Sequence, residues 1–212
     1  MRRNLRKRRA TGESANACHV QRAESRNDVW CWDFAFDRTQ NGSTLKWLSI
    51  IDEHTRECLA LEVGRGITSE NIIDTLAALF AIHGVPRAIR SDNGPEFVSK
   101  TIQSWLARLQ IRTLYISPGS PWENGYAESF HSRLRDEFLK MEIFENLSAA
   151  RQQTRAWSLD YNQHRPHSSL GYLTPSEFAT RCIAFVPEKT SAAPQSSPAL
   201  QQHSGLTQPL LS

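Results

Sequence analysis

Residues 29 to 36, VWCWDFAF, alternate strictly: Trp30, Trp32, Phe34 and Phe36 fall on one parity, and Val29, Cys31, Asp33 and Ala35 on the other. A period of two with bulky aromatic residues on one side predicts a strand with one heavily packed face. Asp33 shares the opposite face with small residues. The same periodicity returns in LKWLSIID, 45 to 52, after a turn at Asn41 and Gly42, and again in CLALEV, 58 to 63. Three closely spaced strands predict an antiparallel meander.

The period then lengthens. SENIIDTLAALFAIHG reads as a helix capped by Ser69 and stopped by Gly84. A short strand follows at 85 to 92, a helix at 95 to 110, a strand at 111 to 117, and two long helices at 121 to 142 and 147 to 163. Three strands followed by alternating helices and strands predict an α/β fold, a mixed five-stranded sheet flanked by helices. Residues 1 to 27 lack periodicity and read as a basic arm or linker. Residues 28 to 180 form the core, and 181 to 212 read as a tail for which low complexity predicts disorder.

Charge sharpens the arm. The 212-residue chain carries a formal net charge of +3, yet Arg2, Arg3, Arg6, Lys7, Arg8 and Arg9 lie together without an acid, so the remainder sits at about −3. A basic arm on a near-neutral body suits phosphate contact with counterion release, with a localisation-like or solubilising tail as the alternative. The four cysteines are scattered without a CxxC pair, which predicts a reduced cytoplasmic chain rather than a zinc ribbon or disulfide framework. No apolar run approaches the roughly 20 residues needed to span a bilayer.

Three carboxylates stand out from this map. Asp33 lies within a strand, where an unpaired charge is costly. Asp92 ends a strand at SDNGPEF, where Asp-Asn-Gly is also ordinary turn chemistry. Glu128 lies in the first long helix, with 35 residues between it and Asp92. An oxygen-only donor set suits Mg²⁺, which keeps waters and accepts phosphate oxygens. Two such ions about 3.5–4 Å apart can serve an in-line phosphoryl displacement.

The segments WCWDFAFDR, IRSDNGPEF, SPGSPWENGYAESFHSRLRDEF and YNQHRPHSSLGYLTPSEF resemble, in order and spacing, transposases of bacterial insertion sequences in the retroviral-integrase superfamily. The chain looks like the second-reading-frame, integrase-core part of such an enzyme, and the likeness covers about residues 27 to 179. The resemblance implies a ribonuclease H-like fold, DNA cleavage and strand transfer, and a site for two Mg²⁺ ions with Mn²⁺ as a substitute. It makes Asp33, Asp92 and Glu128 the metal-binding catalytic triad.

On a helical wheel Ala127, Phe130, Leu134, Phe138 and Met141 form one apolar stripe. Glu128 and Arg135 lie almost on one line beyond its border, with His131 between them and the stripe. Arg135, and with it Arg133, become candidates for DNA phosphate; Asn93 either orients substrate or holds its turn. Asp136 reads as a solvated charge, Glu137 as an i,i+4 partner of Arg133, and Glu123 as the N3 member of a capping box opened by Ser120. Trp122, Asn124 and Tyr126 suit DNA contact and packing about equally. Asp37 and Asp52 read as turn or salt-bridge residues. His164 and His167 lack a third ligand and read as structural.

The expected function is therefore a Mg²⁺-dependent transposase acting on element ends and target DNA in the cytoplasm, at the nucleoid. Its expected DNA-contacting residues are Arg135, Asn93, Arg133, Arg6, Lys7, Arg8 and Arg9. Resemblance implies a homo-oligomer on DNA, with an upstream-frame helix-turn-helix partner for end recognition. Two alternatives are an inactive DNA-binding remnant and a ribonuclease H-type nuclease. Terminal repeats and target preference are not written in this sequence.

Overall fold

A computed structural model describes residues 22–92, 94, 96–97, 99–116 and 124–184. The sheet is built from β1 (Val29–Arg38), β2 (Thr44–Asp52), β3 (Cys58–Gly64), β4 (Ala88–Ser91) and β5 (Arg112–Tyr115). Its order is β3-β2-β1-β4-β5, with β1 central. The first three strands form the antiparallel meander, whereas β4 runs parallel to β1 and β5 parallel to β4. The helices are α1 (Ser69–His83), α2 (Lys100–Arg108), α3 (Gly125–Leu134), α4 (Leu147–Gln163) and α5 (Pro175–Ala184).

Burial follows the parity of β1. Trp30 and Trp32 join Ile72, Leu76, Ile102 and Leu106 beneath α1 and α2. Cys31 and Ala35 join Ala127, Phe130, Leu134 and Tyr161 beneath α3 and α4. Asp33 therefore faces the α3 side. Phe36, expected on the packed aromatic face, is 60% exposed, because β1 outlasts the α1–α2 layer there.

Several boundaries differ from the sequence reading. The N-cap of α1 is Thr68 rather than Ser69, because Asn71, three residues on, completes a reciprocal capping box with it. α2 starts at Lys100, where the Ser99 hydroxyl accepts the Ile102 amide; residues 96–97 are a turn. The expected helix 121 to 142 is α-helical over Gly125–Leu134 and continues as a single wide π turn, Arg135–Leu139. That turn shifts the register, so Leu139 enters the core while Met141 is 73% exposed and leaves the apolar stripe.

α5 lacks a counterpart in the sequence reading and runs through residues 181 to 184, which that reading gave to the tail. Its origin is local: the Thr174 hydroxyl accepts the Glu177 amide, the Glu177 carboxylate accepts the Thr174 amide, and Pro175 stands at the first helical position. Residues 1–21, 93, 95, 98, 117–123 and 185–212, and with them the basic arm, Asn93, Trp122, the Ser120–Glu123 cap and the tail, lie outside the described residues.

Candidate active site

The aromatic and acidic parities of β1 serve one purpose from two sides. Phe97 stacks between Trp32 and Phe34, at ring separations of 4.8 and 4.7 Å. Its amide donates to Gly94 O, closing the turn that follows Asp92. The large aromatic residues thus grip the loop that carries Asp92, while the intervening position carries Asp33 on the other face.

The parallel register between β1 and β4 sets the relation of the two acids. Val29 pairs with Ala88, Trp30 with Ile89 and Cys31 with Arg90. Continued past the last paired residues, the same offset brings Asp92, just after the end of β4, toward Asp33, and the Asp92 charge acts on the Asp33 carboxyl. The Asp92 carboxylate Oδ1 accepts the Gly94 amide at 3.0 Å, and a Cβ on Gly94 would sit 3.0 Å from that oxygen. Glycine at 94 lets the carboxylate fold back onto the turn.

Glu128 comes from α3. Its i, i+3, i+4 and i+7 neighbours His131, Ser132 and Arg135 share its flank, and all four line an open cleft with Asp33, Asp136 and Lys140. Phe130, Ala127 and Leu134 are buried beside them and fix the helix against the sheet. Edge contacts of Phe130 with Tyr161 and Trp157, at 5.0 and 5.6 Å, join α3 to α4.

Asp33 is the perturbed member. Burial raises its carboxyl from the ordinary 3.8 to about 6, and the charges of Asp92 and Glu128 push the same way. The Phe34 amide, donating to Oδ1 at 2.7 Å, and the Arg135 charge oppose this. Like charges are thus gathered around a half-buried acid. Among the described residues no three His, Cys, Asp or Glu side chains close into a ready-made metal cage. Asp33 and Glu128 line an open cleft, and oxygen donors of this kind fit a hard cation that keeps part of its hydration shell.

His131 is the site residue that sequence reasoning missed. It is buried; Nδ1 lies 3.4 Å from Asp33 Oδ2 and Nε2 lies 2.7 Å from the Ser49 hydroxyl. Burial and the Arg135 charge lower it to about 4, so the ring is neutral at pH 7. Ser49 is the cross-strand partner of Asp33. The Ser49 hydroxyl also donates to Asp33 O at 3.2 Å, so His131 and Ser49 together tie α3 and β2 to the backbone of Asp33. The signal was its place on the wheel between Glu128 and the stripe.

The other candidates separate. Asp52 is a turn acceptor, taking the amides of His54, Thr55 and Asn27, and Asp37 accepts only the Arg38 amide. Asp136 pairs with Lys140 at the surface. Glu137 binds Arg165 in a two-pronged ion pair rather than Arg133, because the π turn swings it toward the end of α4. Arg133 instead reaches Ser129 and faces away from the cleft. His167 stacks edge-on against Tyr161 and pairs with Leu173 through its backbone, while exposed His164 sits beside Asp160.

Comparison with known proteins agrees with this architecture. The integrase core domain family matches residues 23–121 and, through a second description of the same domain, residues 109–175. An uncharacterized 39.2 kDa protein of insertion element IS476 from Xanthomonas euvesicatoria is 40% identical over 153 residues, covering 72% of this chain and 44% of the relative. An uncharacterized 31.7 kDa protein of IS407 from Burkholderia multivorans is 39% identical over 155 residues, covering 73% and 56%. The chain therefore spans about half the length of these relatives. The HTLV-2 integrase catalytic core domain, solved in complex with magnesium, superposes with a TM-score of 0.60 at 17% identity over 74% of this chain and 99% of that one. A chain of the simian T-cell lymphotropic virus intasome complexed with PP2A regulatory subunit B56 gamma gives 0.66 at 18% identity over 87% and 63%. Sheet order and neighbours establish a ribonuclease H-like fold, and the chain belongs to the integrase core domain family as the core region of a bacterial insertion-sequence transposase.

Proposed function

We propose that this core cuts and joins DNA strands with the help of Mg²⁺, held by Asp33, Asp92 and Glu128. The observation that supports the proposal is the gathering of carboxylates about Asp33: Glu128 lines the same open cleft, and the charges of Asp92, at the end of the neighbouring strand, and of Glu128 both act on its carboxyl. Bound there, one or two Mg²⁺ ions would activate the attacking oxygen and offset charge on the leaving one. The chain's own residues do the positioning. The Phe34 amide holds the Asp33 carboxylate with the His131 ring beside it, and the Gly94 amide fixes the Asp92 carboxylate on its turn. Arg135 presents an exposed guanidinium on the same flank as Glu128, suited to a scissile-strand phosphate.

The resident partners follow from the same reading: DNA as substrate, further copies of the chain on it, and an upstream-frame partner for end recognition. Asn93 and the arm residues Arg6, Lys7, Arg8 and Arg9 would add phosphate contacts, with the arm ending near residue 27 and the core near 180. Among the described residues no helix is long and apolar enough to cross a membrane, which accords with work on DNA in the cytoplasm.

The test is strand transfer by the full chain from a 3′-hydroxyl oligonucleotide, carrying the ends of the flanking element, into plasmid DNA. Joining should require Mg²⁺ or Mn²⁺ and disappear in Asp33→Asn, Asp92→Asn and Glu128→Gln while circular dichroism stays unchanged. A folded variant that joins at near wild-type rate removes that acid from the site. Cleavage confined to RNA:DNA hybrids would favour a ribonuclease H-type enzyme instead.

A further inference from the structure

α3 carries two functional flanks. Glu128, His131, Ser132 and Arg135 face the cleft, whereas Tyr126, Ser129 and Arg133, at i, i+3 and i+7, line a separate cavity of about 580 Å³. Arg22, Arg56 and His167 line that cavity from other parts of the chain, and among the described residues no carboxylate lines it.

The cations of this cavity are unneutralised. Among the described residues Arg22, Arg56 and Arg133 make no ion pair, although the chain pairs Arg26, Arg87, Arg90 and Arg165 with acids elsewhere. Arg56 is held in the left-handed region at φ 62°, a costly conformation for a residue with a Cβ. Its guanidinium lies 3.8 Å from the centre of the Tyr126 ring, and Nη1 donates to Glu53 O at 2.6 Å. Arg133 Nη1 donates to Ser129 Oγ at 2.8 Å. Both guanidiniums are therefore oriented before any ligand arrives, with donors to spare.

A second feature points to an anion. His167 lines the pocket at 6% exposure, with its Nε2 buried and without a hydrogen-bond partner among the described residues. Burial above all, and then the charges of Arg133, Arg165 and Arg56, hold this imidazole at about 4. Arg165 is already engaged by Glu137, which leaves Arg56 and Arg133 for a ligand. Two forked guanidiniums and a serine hydroxyl match the tetrahedral oxygens of a phosphate group.

We propose that this pocket binds one backbone phosphate of the DNA strand engaged by the core, on the side of α3 opposite the three carboxylates. The assignment rests on the DNA-joining function proposed above. A helix with its side chains is about 10–12 Å across, so a strand crossing α3 reaches the pocket about three nucleotides from the cleft, at 3.4 Å of axial rise per nucleotide. The pocket would thereby fix the strand's path over Glu128, and it would do so without metal.

The test measures anisotropy of a short labelled duplex with the full chain in EDTA across a NaCl series. Wild type is compared with the double variant Arg56→Gln/Arg133→Gln. The expected result is weaker binding by about 5- to 10-fold at low salt and a log–log salt slope shallower by about 1, the signature of one lost phosphate. In parallel, inorganic phosphate should raise the melting temperature of wild type above that in NaCl of equal ionic strength, and leave the double variant unmoved. Ser129→Glu, a change at an exposed position, should reproduce both effects should the double variant fail to fold. Folded variants with an unchanged slope overturn the proposal. Phosphate stabilisation with an unchanged slope also overturns it, in favour of a small free phosphate ligand. Normal duplex binding with joining lost in Asp33→Asn concerns the catalytic reading alone; wild type that binds no duplex overturns both.

Discussion

Asp33 lies in β1 and Asp92 directly follows the last residue of the neighbouring parallel strand β4, and the charge of Asp92 acts on the Asp33 carboxyl; the Phe34 amide holds the first and the Gly94 amide the second. No packing demand puts two carboxylates there, and burial together with the neighbouring charges raises Asp33 to about 6. A raised folded-state value means the protonated form is favoured on folding: stability is fully present below the ordinary carboxylate value and is lost as pH rises through about 6. At pH 7 the ionised acid therefore costs stability, on the order of 1–3 kcal/mol. Asp33→Asn should raise the melting temperature in EDTA by several degrees while abolishing strand transfer. A scanning-fluorimetry comparison in which the variant melts lower would remove the charge-repulsion argument.

Gly94→Ala tests the placement of Asp92. The added Cβ would sit 3.0 Å from Asp92 Oδ1, so the carboxylate must yield by a few tenths of an ångström or the turn must open. Displacement of a reacting group is amplified in rate, with about 100-fold lost for 1 Å. Strand transfer should fall about 10-fold or more with a shift in melting temperature of only a few degrees. Unaltered joining kinetics would show that the turn does not position Asp92.

How much of this was legible in the sequence depended on the length scale of each signal. The parity of β1 is readable because its alternate residues divide between the two faces of the sheet, Trp30 and Trp32 to one core and Cys31 and Ala35 to the other. α4 was placed at 147 to 163 because Asn146 caps it and its pattern is unbroken. Phe97 was not readable as the grip on Asp92, since nothing local marks a residue whose partners are 65 and 63 positions upstream. The role of His131 depends likewise on Ser49, 82 residues away. The π turn at Arg135–Leu139 defeated the wheel, which assumes a constant 3.6-residue period and so paired Glu137 with Arg133 and buried Met141. The start of α5 is legible in Thr174-Pro175-Ser176-Glu177, a capping box with proline at its first helical position.

Acid should weaken the fold through its buried imidazoles. His167 is held at about 4 by burial and three nearby guanidiniums, against an ordinary 6.5. Its folded-state value is lowered, so the unfolded chain takes up the proton first. The stability this contributes is complete above about 6.5 and is lost as pH falls toward 4. Asp33 acts in the opposite sense over part of that window, which makes the single-residue comparison informative. His167→Asn should flatten the decline in urea midpoint between pH 6.5 and 4.5 relative to wild type. Parallel curves would mean that His167 is already protonated in the native state.

Asn162 carries the last expectation, because it separates the structural reading of YNQHRPH from a metal-binding one. Its side chain clasps the edge strand from above: Oδ1 accepts the Cys58 amide and Nδ2 donates to Cys58 O, both at 2.9 Å. Tyr161, beside it, is buried against Phe130, so this clasp seats α4 under the helix that bears Glu128. Truncation to alanine removes two hydrogen bonds at a partly buried site and leaves the Cys58 backbone to find water. A loss of about 1–3 kcal/mol in urea unfolding is expected. Joining, assayed well below the melting temperature, should fall far less than in Glu128→Gln, because the carboxylates keep their strands. Zn²⁺ should leave the stability of wild type and variant unchanged, as His164 is exposed beside Asp160 and His167 faces the opposite pocket. A Zn²⁺-dependent rise in wild-type melting temperature that Asn162→Ala or a histidine variant abolishes would assign this motif to metal instead.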